Sequence, residues 1–432
     1  MSWFKMIRLG MLHVAVAISL VPITGVLNRI MIHELGIMAS IVAALIILPH
    51  LFSPIQVFIG QFSDRHPFWG YRRTPYIALG ILLCVGGAAV TPFAAFAMDA
   101  HFWPGLIFAL LVFGLWGVGF NTAVVSYLSL ASDISPAQYR SRTIAVMWFM
   151  MITAVIGTAI GTGRALEPYS PERLIEVFAI CAGIALAIAT LGLIGLEPRN
   201  AVPLSHEERY SATESVRSVI RDPLARRFFV YLMFMLAAIL GQDVLLEPYG
   251  AQAFGMDVRS TTQLTATWGG ATLLALLLHG IFFSRWLTNK RGAMLGGAIA
   301  ASGLTLIALS GILHIEPLFV PAVALLGFGT GIATATNLAL MLDMTTPQQV
   351  GLFIGAWGVA DAAARGLGNL LAGIIRDLAA LVVGPTGAYA TVFLIEAIIL
   401  CTALVMLRAI DVSAFRSQRR DLGQLVAVMG DA

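Results

Sequence analysis

GQFSDRHPFWGYRR at residues 60–73 recurs in degraded form as GIFFSRWLTNKR at residues 280–291, an offset of 220. Each stretch follows a long apolar run and closes on basic residues, as a helix leaving a membrane on its positively charged side does. A second pair agrees: NRIMIHELG (28–36) matches EPYGAQAFG (247–255) at an offset of 219. A weaker third sets Asp133 in ASDISPAQ against Asp343 in MLDMTTPQQ, each closing the fourth apolar run of its half. Repetition at a near-constant offset means two copies of one structural unit.

Working outward from these anchors, runs of roughly the 20 residues a helix needs to cross a bilayer fall at 9–32, 38–60, 75–97, 105–131, 143–164, 174–195, 227–247, 261–283, 292–313, 318–342, 351–376 and 388–408. The expected fold is all-α integral membrane, with twelve transmembrane helices in two pseudo-symmetric six-helix halves. A first bundle covers 1–197, a cytoplasmic linker 198–226, a second bundle 227–410 and a cytoplasmic tail 411–432. The first run is too long for a signal-peptide core and no small-residue cleavage site follows, so it is expected to stay as the first span. Residues 414–428 read either as a short helix lying on the membrane surface or as a disordered tail.

Composition supports the same class: 59% of residues are hydrophobic, 11% are charged, and mean hydropathy is +0.88. With the amino terminus in the cytoplasm, 20 of the 26 lysines and arginines fall on that side and only Arg164, Arg173 and Arg259 in opposite loops. Both termini are therefore expected to be cytoplasmic. The three cysteines, Cys84, Cys181 and Cys401, lie inside apolar runs and offer neither a disulfide framework nor a metal motif. No phosphate-binding glycine loop, nucleophile elbow or paired-histidine helix occurs, and Lys5 and Lys290 are the only lysines. ATP hydrolysis, other enzyme chemistry and nucleic-acid binding are thus not expected, and membrane lipids are the first partner.

Parallel six-helix halves are the arrangement of the major facilitator superfamily. Gly60, Asp64, Arg65, Arg72 and Arg73 resemble that superfamily's loop between spans two and three, with His66–Trp69 as an insertion. The resemblance implies a cytoplasmic latch, in which Asp64 faces the amino-terminal end of span eleven. Topology retention by the arginines alone is the plainer reading.

Within the superfamily, LNRIMIHELG (27–36), SDRHPFWGYRRTPYI (63–77), YLSLASDISPAQYRSRTIAVMW (127–148) and GQDVLLEPYG (241–250) are similar to the bacteriochlorophyll delivery family, the PucC- and LhaA-type light-harvesting complex assembly proteins. The likeness runs from the first span to the last. It implies a photosynthesis protein of a bacterial inner membrane, cytoplasmic or intracytoplasmic, that helps assemble antenna complexes. It further implies bacteriochlorophyll as a transported or transiently bound pigment, and antenna polypeptides, pigment-synthesis enzymes and the translocon as partners. Sequence physics without the resemblance favours a proton-coupled secondary transporter of a small solute.

Charges inside the bilayer are costly and need a reason. Asp361 and Arg365 lie one helical turn apart, and Glu396 falls between their depths, so the three are expected to form one intramembrane network or, for the first two, a self-sufficient pair. Asn28 and Arg29 end the first span, while Asp243 and Glu247 end the seventh. Arg29 is expected to bridge to Glu247 or Asp243 as a periplasmic gate, or each charge to reach the interface separately. Neutral imidazole can ligate the magnesium of a bacteriochlorin. His50 is the histidine deep enough to do so, with a packing role as the alternative, whereas His13 and His279 lie near span ends. Gly157, Gly161 and Gly163, and Gly327, Gly329 and Gly331, are expected at close helix contacts. Aromatic residues at span ends, Trp3, Trp69 and Trp103 among them, suit an interfacial belt.

Overall fold

The computed structural model describes residues 2–53, 55–136, 139–199, 223–343 and 350–410. Regular structure among them is helical, apart from one isolated bridge between Phe68 and Tyr71. α1 spans Trp3–Glu34. α2 is built from three pieces, Ala39–Ile46, Leu48–Leu51 and Ile55–Arg65. α3 (Thr74–Ala100), α4 (Phe102–Ile134), α5 (Arg140–Ala165) and α6 (Pro171–Leu193) complete the first half. α7 consists of Pro223–Leu240, a 3₁₀ turn at Gly241–Val244, and Leu246–Phe254. α8 (Val258–Ile281), α9 (Asn289–Ile312), α10 (Glu316–Asp343) and the long helix Val350–Arg408 follow.

Ten helices among the described residues are long and apolar enough to cross a membrane. The difference from twelve has two physical causes. α2 is interrupted near Pro49, which has no amide hydrogen and cannot continue the helical ladder. The final helix doubles back at Gly384, whose φ of 76° suits glycine. Gly368 and Glu396 both border Gly241, although a straight helix would hold them about 42 Å apart. Arg376 likewise lies 4.7 Å from the Tyr389 ring centre. Residues 350–383 are therefore α11 and residues 385–408 are α12, an arrangement compatible with twelve passes.

Close backbone approaches repeat the internal duplication more regularly than the loops do. In α3 and α4, a Cβ added at Gly80, Gly87 or Gly119 would fall within 3 Å of the backbone of Ala123, Trp116 and Cys84 respectively. In α9 and α10 the same holds for Gly296, Gly303 and Gly329 against Ala333, Leu326 and Ala300. Without an apolar solvent difference to drive association, helices in lipid gain from such contact. Gly327 and Gly331 instead seat α10 on Trp268 and Thr272 of α8. The expectation fails for Gly157 and Gly161, where an added Cβ would meet nothing within 4 Å; of that set only Gly163 touches a neighbour, at Arg259 and Thr262 of α8. The reason is rotational: α5 turns Ile156, Ala159 and Gly163 inward, and the four-residue pair outward.

The halves meet along three seams, α1 with α7, α2 with α11 and α5 with α8. The linker core, residues 200–222, and the tail, residues 411–432, lie outside the described residues. Below, the end of the bundle carrying Trp3 is the near end and the opposite end the far end.

Candidate functional site

At the near end the arginine doublet of the 60–73 loop is turned into its own half, with Arg73 buried and Arg72 partly so. Arg73, fully shielded from solvent, donates from Nε to Asp133 Oδ2 at 3.2 Å and from Nη1 to the Gly60 carbonyl at 3.3 Å, and it also reaches Ser63 Oγ. Arg72 Nη2 lies 2.6 Å from the same Asp133 oxygen. The amides of Arg72, Arg73 and Thr74 all donate to the Glu197 carboxylate, at 2.7–3.1 Å. This caps the positive end of α3 with a charge from just beyond α6. Arg199 Nε then donates to the Tyr71 hydroxyl at 2.9 Å. The insertion 66–69 forms the turn closed by the Phe68–Tyr71 bridge, with Trp69 exposed. The Asp64 side chain and residues 344–349 lie outside the described residues, and with them the expected contact to α11.

The expected gate is corrected at the far end. Arg29 pairs with Glu34 of its own helix at 2.8 Å, and its Nη2 donates to the Met256 carbonyl at 3.1 Å. Glu247 accepts the Thr265 hydroxyl from α8 at 2.6 Å, and Asn28 donates from its amide to the Val244 carbonyl at 2.6 Å. Arg29 takes Glu34 because the wide π-helical turn Ile30–Glu34 brings that carboxylate round to its own guanidinium. The halves are thus joined here by side-chain-to-backbone bonds, with no Arg29 ion pair to Glu247 or Asp243. Asp377 of α11 adds another junction, accepting the Ala39 and Ser40 amides at 3.2 and 2.8 Å at the start of α2.

Between the two ends lies a partly open charge cluster. Arg365 Nε meets Asp361 Oδ2 at 3.1 Å, and its Nη1 meets Asp243 Oδ2 on α7 at 3.5 Å. The three side chains keep 28–34% of their surface accessible, so they face space between helices. The expected inclusion of Glu396 is corrected: it is 4% exposed, packs on Gly241, and neither carboxyl oxygen has a hydrogen-bond partner among the described residues. α12 turns Glu396 to the 3₁₀ turn of α7, and the second acid of the cluster is Asp243.

His50 sits on the one-turn piece Leu48–Leu51 of α2, half-buried and close enough to Arg365 and Asp361 to feel both charges. The interruption that exposes it is held by Asn121 of α4, which donates to the Pro49 carbonyl at 2.7 Å and accepts from Gln56 at 2.6 Å. His13 and His279 are buried; His13 packs against Tyr127 and Trp148. No group of three potential metal ligands occurs among the described residues.

Sequence reading missed Glu197, Glu34 and Thr265 and placed Asp243 with the wrong cation. Glu197 had a signal: it is an acid placed directly after the sixth apolar run, at the entry to the connector. Thr265 had none, since most hydroxyls in these helices bond their own backbone.

Two packed helical halves joined along three seams, with a charge cluster between them, define a membrane protein of the major facilitator type. The chain aligns with the crystal structure of a bacterial homologue of the human lysosomal transporter Spinster, in an inward-facing and unoccupied conformation. The TM-score is 0.71 over 97% of this chain and 98% of that one, at 14% identity, which speaks to the fold alone. The family model described as PUCC protein matches residues 26–415, and the chain belongs to that family. Protein PucC of Cereibacter sphaeroides is 33% identical over 96% of this chain and 94% of its own length. The bacteriochlorophyll synthase 44.5 kDa chain of Rhodobacter capsulatus is 28% identical over 94% of this chain and 95% of its own. These names tie the family to photosynthesis.

Proposed function

We propose that this protein is a membrane assembly factor for bacterial light-harvesting antenna complexes, delivering bacteriochlorophyll to antenna polypeptides or chaperoning them. The observation that supports it is similarity over nearly the whole chain to PucC and to a protein named for bacteriochlorophyll synthesis. On this reading the near end and both termini face the cytoplasm of an inner or intracytoplasmic membrane. Partners are lipids, antenna polypeptides and the pigment-synthesis or translocon proteins that supply them. The protein carries out no catalysis of its own.

His50 fits a pigment contact. Its ring has no hydrogen-bond partner among the described residues, stands beside the open charge cluster, and offers a nitrogen to a metal centre. A bacteriochlorin, when bound, would supply a magnesium that a neutral imidazole nitrogen of His50 could hold. Arg365, held by Asp243 and Asp361, would present a fixed cation to polar groups at the pigment's edge.

The test is an absorption spectrum, pigment extraction and identification of co-purifying polypeptides on protein isolated from a phototrophic host in mild detergent. Near-stoichiometric bacteriochlorophyll or precursor with antenna polypeptides is the expected result. A colourless, partner-free preparation overturns it in favour of proton-coupled solute transport. The observation behind that second reading is the partly accessible Asp243–Arg365–Asp361 cluster at a seam between the halves.

A further inference from the structure

One junction between the halves is incomplete. Glu247 of α7 is 2% exposed; its Oε1 accepts from Thr265, while Oε2 is buried with no partner among the described residues. Across the seam Asn28 of α1 is fully buried, its amide nitrogen committed to the Val244 carbonyl and its Oδ1 without a partner. The two residues that carry these atoms meet at one contact. Asn28 touches Val244, three residues before Glu247, and Glu247 occupies the hollow at Gly25, three residues before Asn28. A Cβ on Gly25 would lie 2.6 Å from Glu247 Oε1, so the hollow exists because that position is glycine.

Leaving a buried acceptor unpaired costs its desolvation with no bond in return, and more for a charged one. Two acceptors at one contact carry that cost twice. One proton removes both, because a carboxylic acid has a donor where a carboxylate has none. We infer that Glu247, Thr265 and Asn28 form a proton-binding site that closes the far-end seam between the halves. Glu247 accepts from Thr265 at Oε1 and, as the acid, donates from Oε2 to Asn28 Oδ1. On opening, water reaches Oε2 and the proton leaves to it. The step moves one proton and no electrons.

Among the surrounding charges, Arg29 on α1 is close enough for its charge to act on Glu247, and it is itself paired with Glu34 and the Met256 carbonyl. Asp243, one turn earlier on α7, is engaged with Arg365 of α11, and Asp361 lies beyond it. α8 brings Thr265; its Arg259 bonds Glu167 at 2.6 Å further toward the far end. α5 has no ionisable residue between Arg142 and Arg164 and packs here with Ala159. Glu396 of α12 packs six residues earlier on α7, at Gly241. A metal ion would need several more oxygens than this contact supplies. The inference does not depend on which cargo, if any, the protein carries.

The test is a distance measurement between spin labels on H101C and L313C, exposed far-end positions of opposite halves, with Cys181 and Cys401 replaced by alanine. The protein sits in lipid nanodiscs, and pH is varied with sodium or with choline. The expected result is a closed-to-open ratio that falls tenfold per pH unit above its midpoint, as one proton requires, with or without sodium. E247Q, whose amide presents a permanent donor, stays closed throughout. N28A, lacking the acceptor, titrates at lower pH. A pH-insensitive wild type, an E247Q that titrates like the wild type, or a requirement for sodium overturns the assignment. Should E247Q fail to fold, an unmoved midpoint in N28A overturns it.

Discussion

Glu197 offers the most direct check on the near-end architecture. It lies just beyond α6, yet its carboxylate accepts the first amides of α3: Oε1 from Arg72 and Arg73 at 2.8 and 3.0 Å, Oε2 from Arg73 and Thr74 at 3.1 and 2.7 Å. Replacing a capping side chain by alanine costs about 0.5–2 kcal/mol, and hydrogen bonds to a charged acceptor contribute about 1.5–3 kcal/mol. Because Glu197 is 8% exposed, water replaces little of what is lost. E197A should therefore lose about 2–3 kcal/mol, which for a unit the size of one half corresponds to a melting point lower by roughly 5–10 °C. E197Q keeps an acceptor oxygen but not the charge facing the helix end, and should lose about 1 kcal/mol. The assay is intrinsic tryptophan fluorescence on heating in detergent, with E176Q on the exposed face of α6 as the control for loss of a carboxylate. Melting of E197A within about a degree of wild type, or equal losses in E197A and E197Q, would refute the capping argument.

Further outcomes follow from the other ion pairs. R365L removes the cation shared by Asp243 and Asp361 and should lower detergent stability by about 1–3 kcal/mol, the partial exposure discounting a buried pair's larger value; adding D243N should restore part of it, whereas E396Q should not. In double-mutant cycles on thermal stability, R29A with E34A should show coupling of at least about 0.5 kcal/mol, and charge reversal at Glu247 should not be rescued by R29E. Asp257 caps α8, and its bonds to Ser260 hold its carboxyl below the ordinary carboxylate range. The stability it adds is present above the unfolded-state value of about 3.9 and is lost as pH falls through the depressed one. D257N should therefore flatten the acid limb of a melting-point profile against pH and leave the region near neutrality little changed.

Much of the architecture was legible because bilayer thickness and loop charge act on sequence directly. The repeat anchors at Gly60 and Gly280 and the apolar runs needed no knowledge of packing. Partner choice did need it. In a soluble amphipathic helix the apolar stripe reports rotation, but α11 and α12 are apolar on nearly every face, so the direction of Glu396 could not be read. The same ambiguity hid Asp243 as the partner of Arg365 and turned Gly157 and Gly161 outward. Arg29 was misassigned for a different reason: π-helical turns change which neighbours share a face, and nothing in the residues 30–34 announces one.

The broken α2 gives the duplicated fold unequal arms. Its counterpart in the second half, α8, runs unbroken from Val258 to Ile281, a stiff strut. α2 is instead a jointed limb, and the joint is set by a neighbour: one amide, Asn121, holds the carbonyl that the interruption frees. Any rocking of one half against the other would meet different compliance on its two sides, with bending concentrated where His50 lies. A single substitution on α4 could therefore change how far α2 flexes without touching α2 itself.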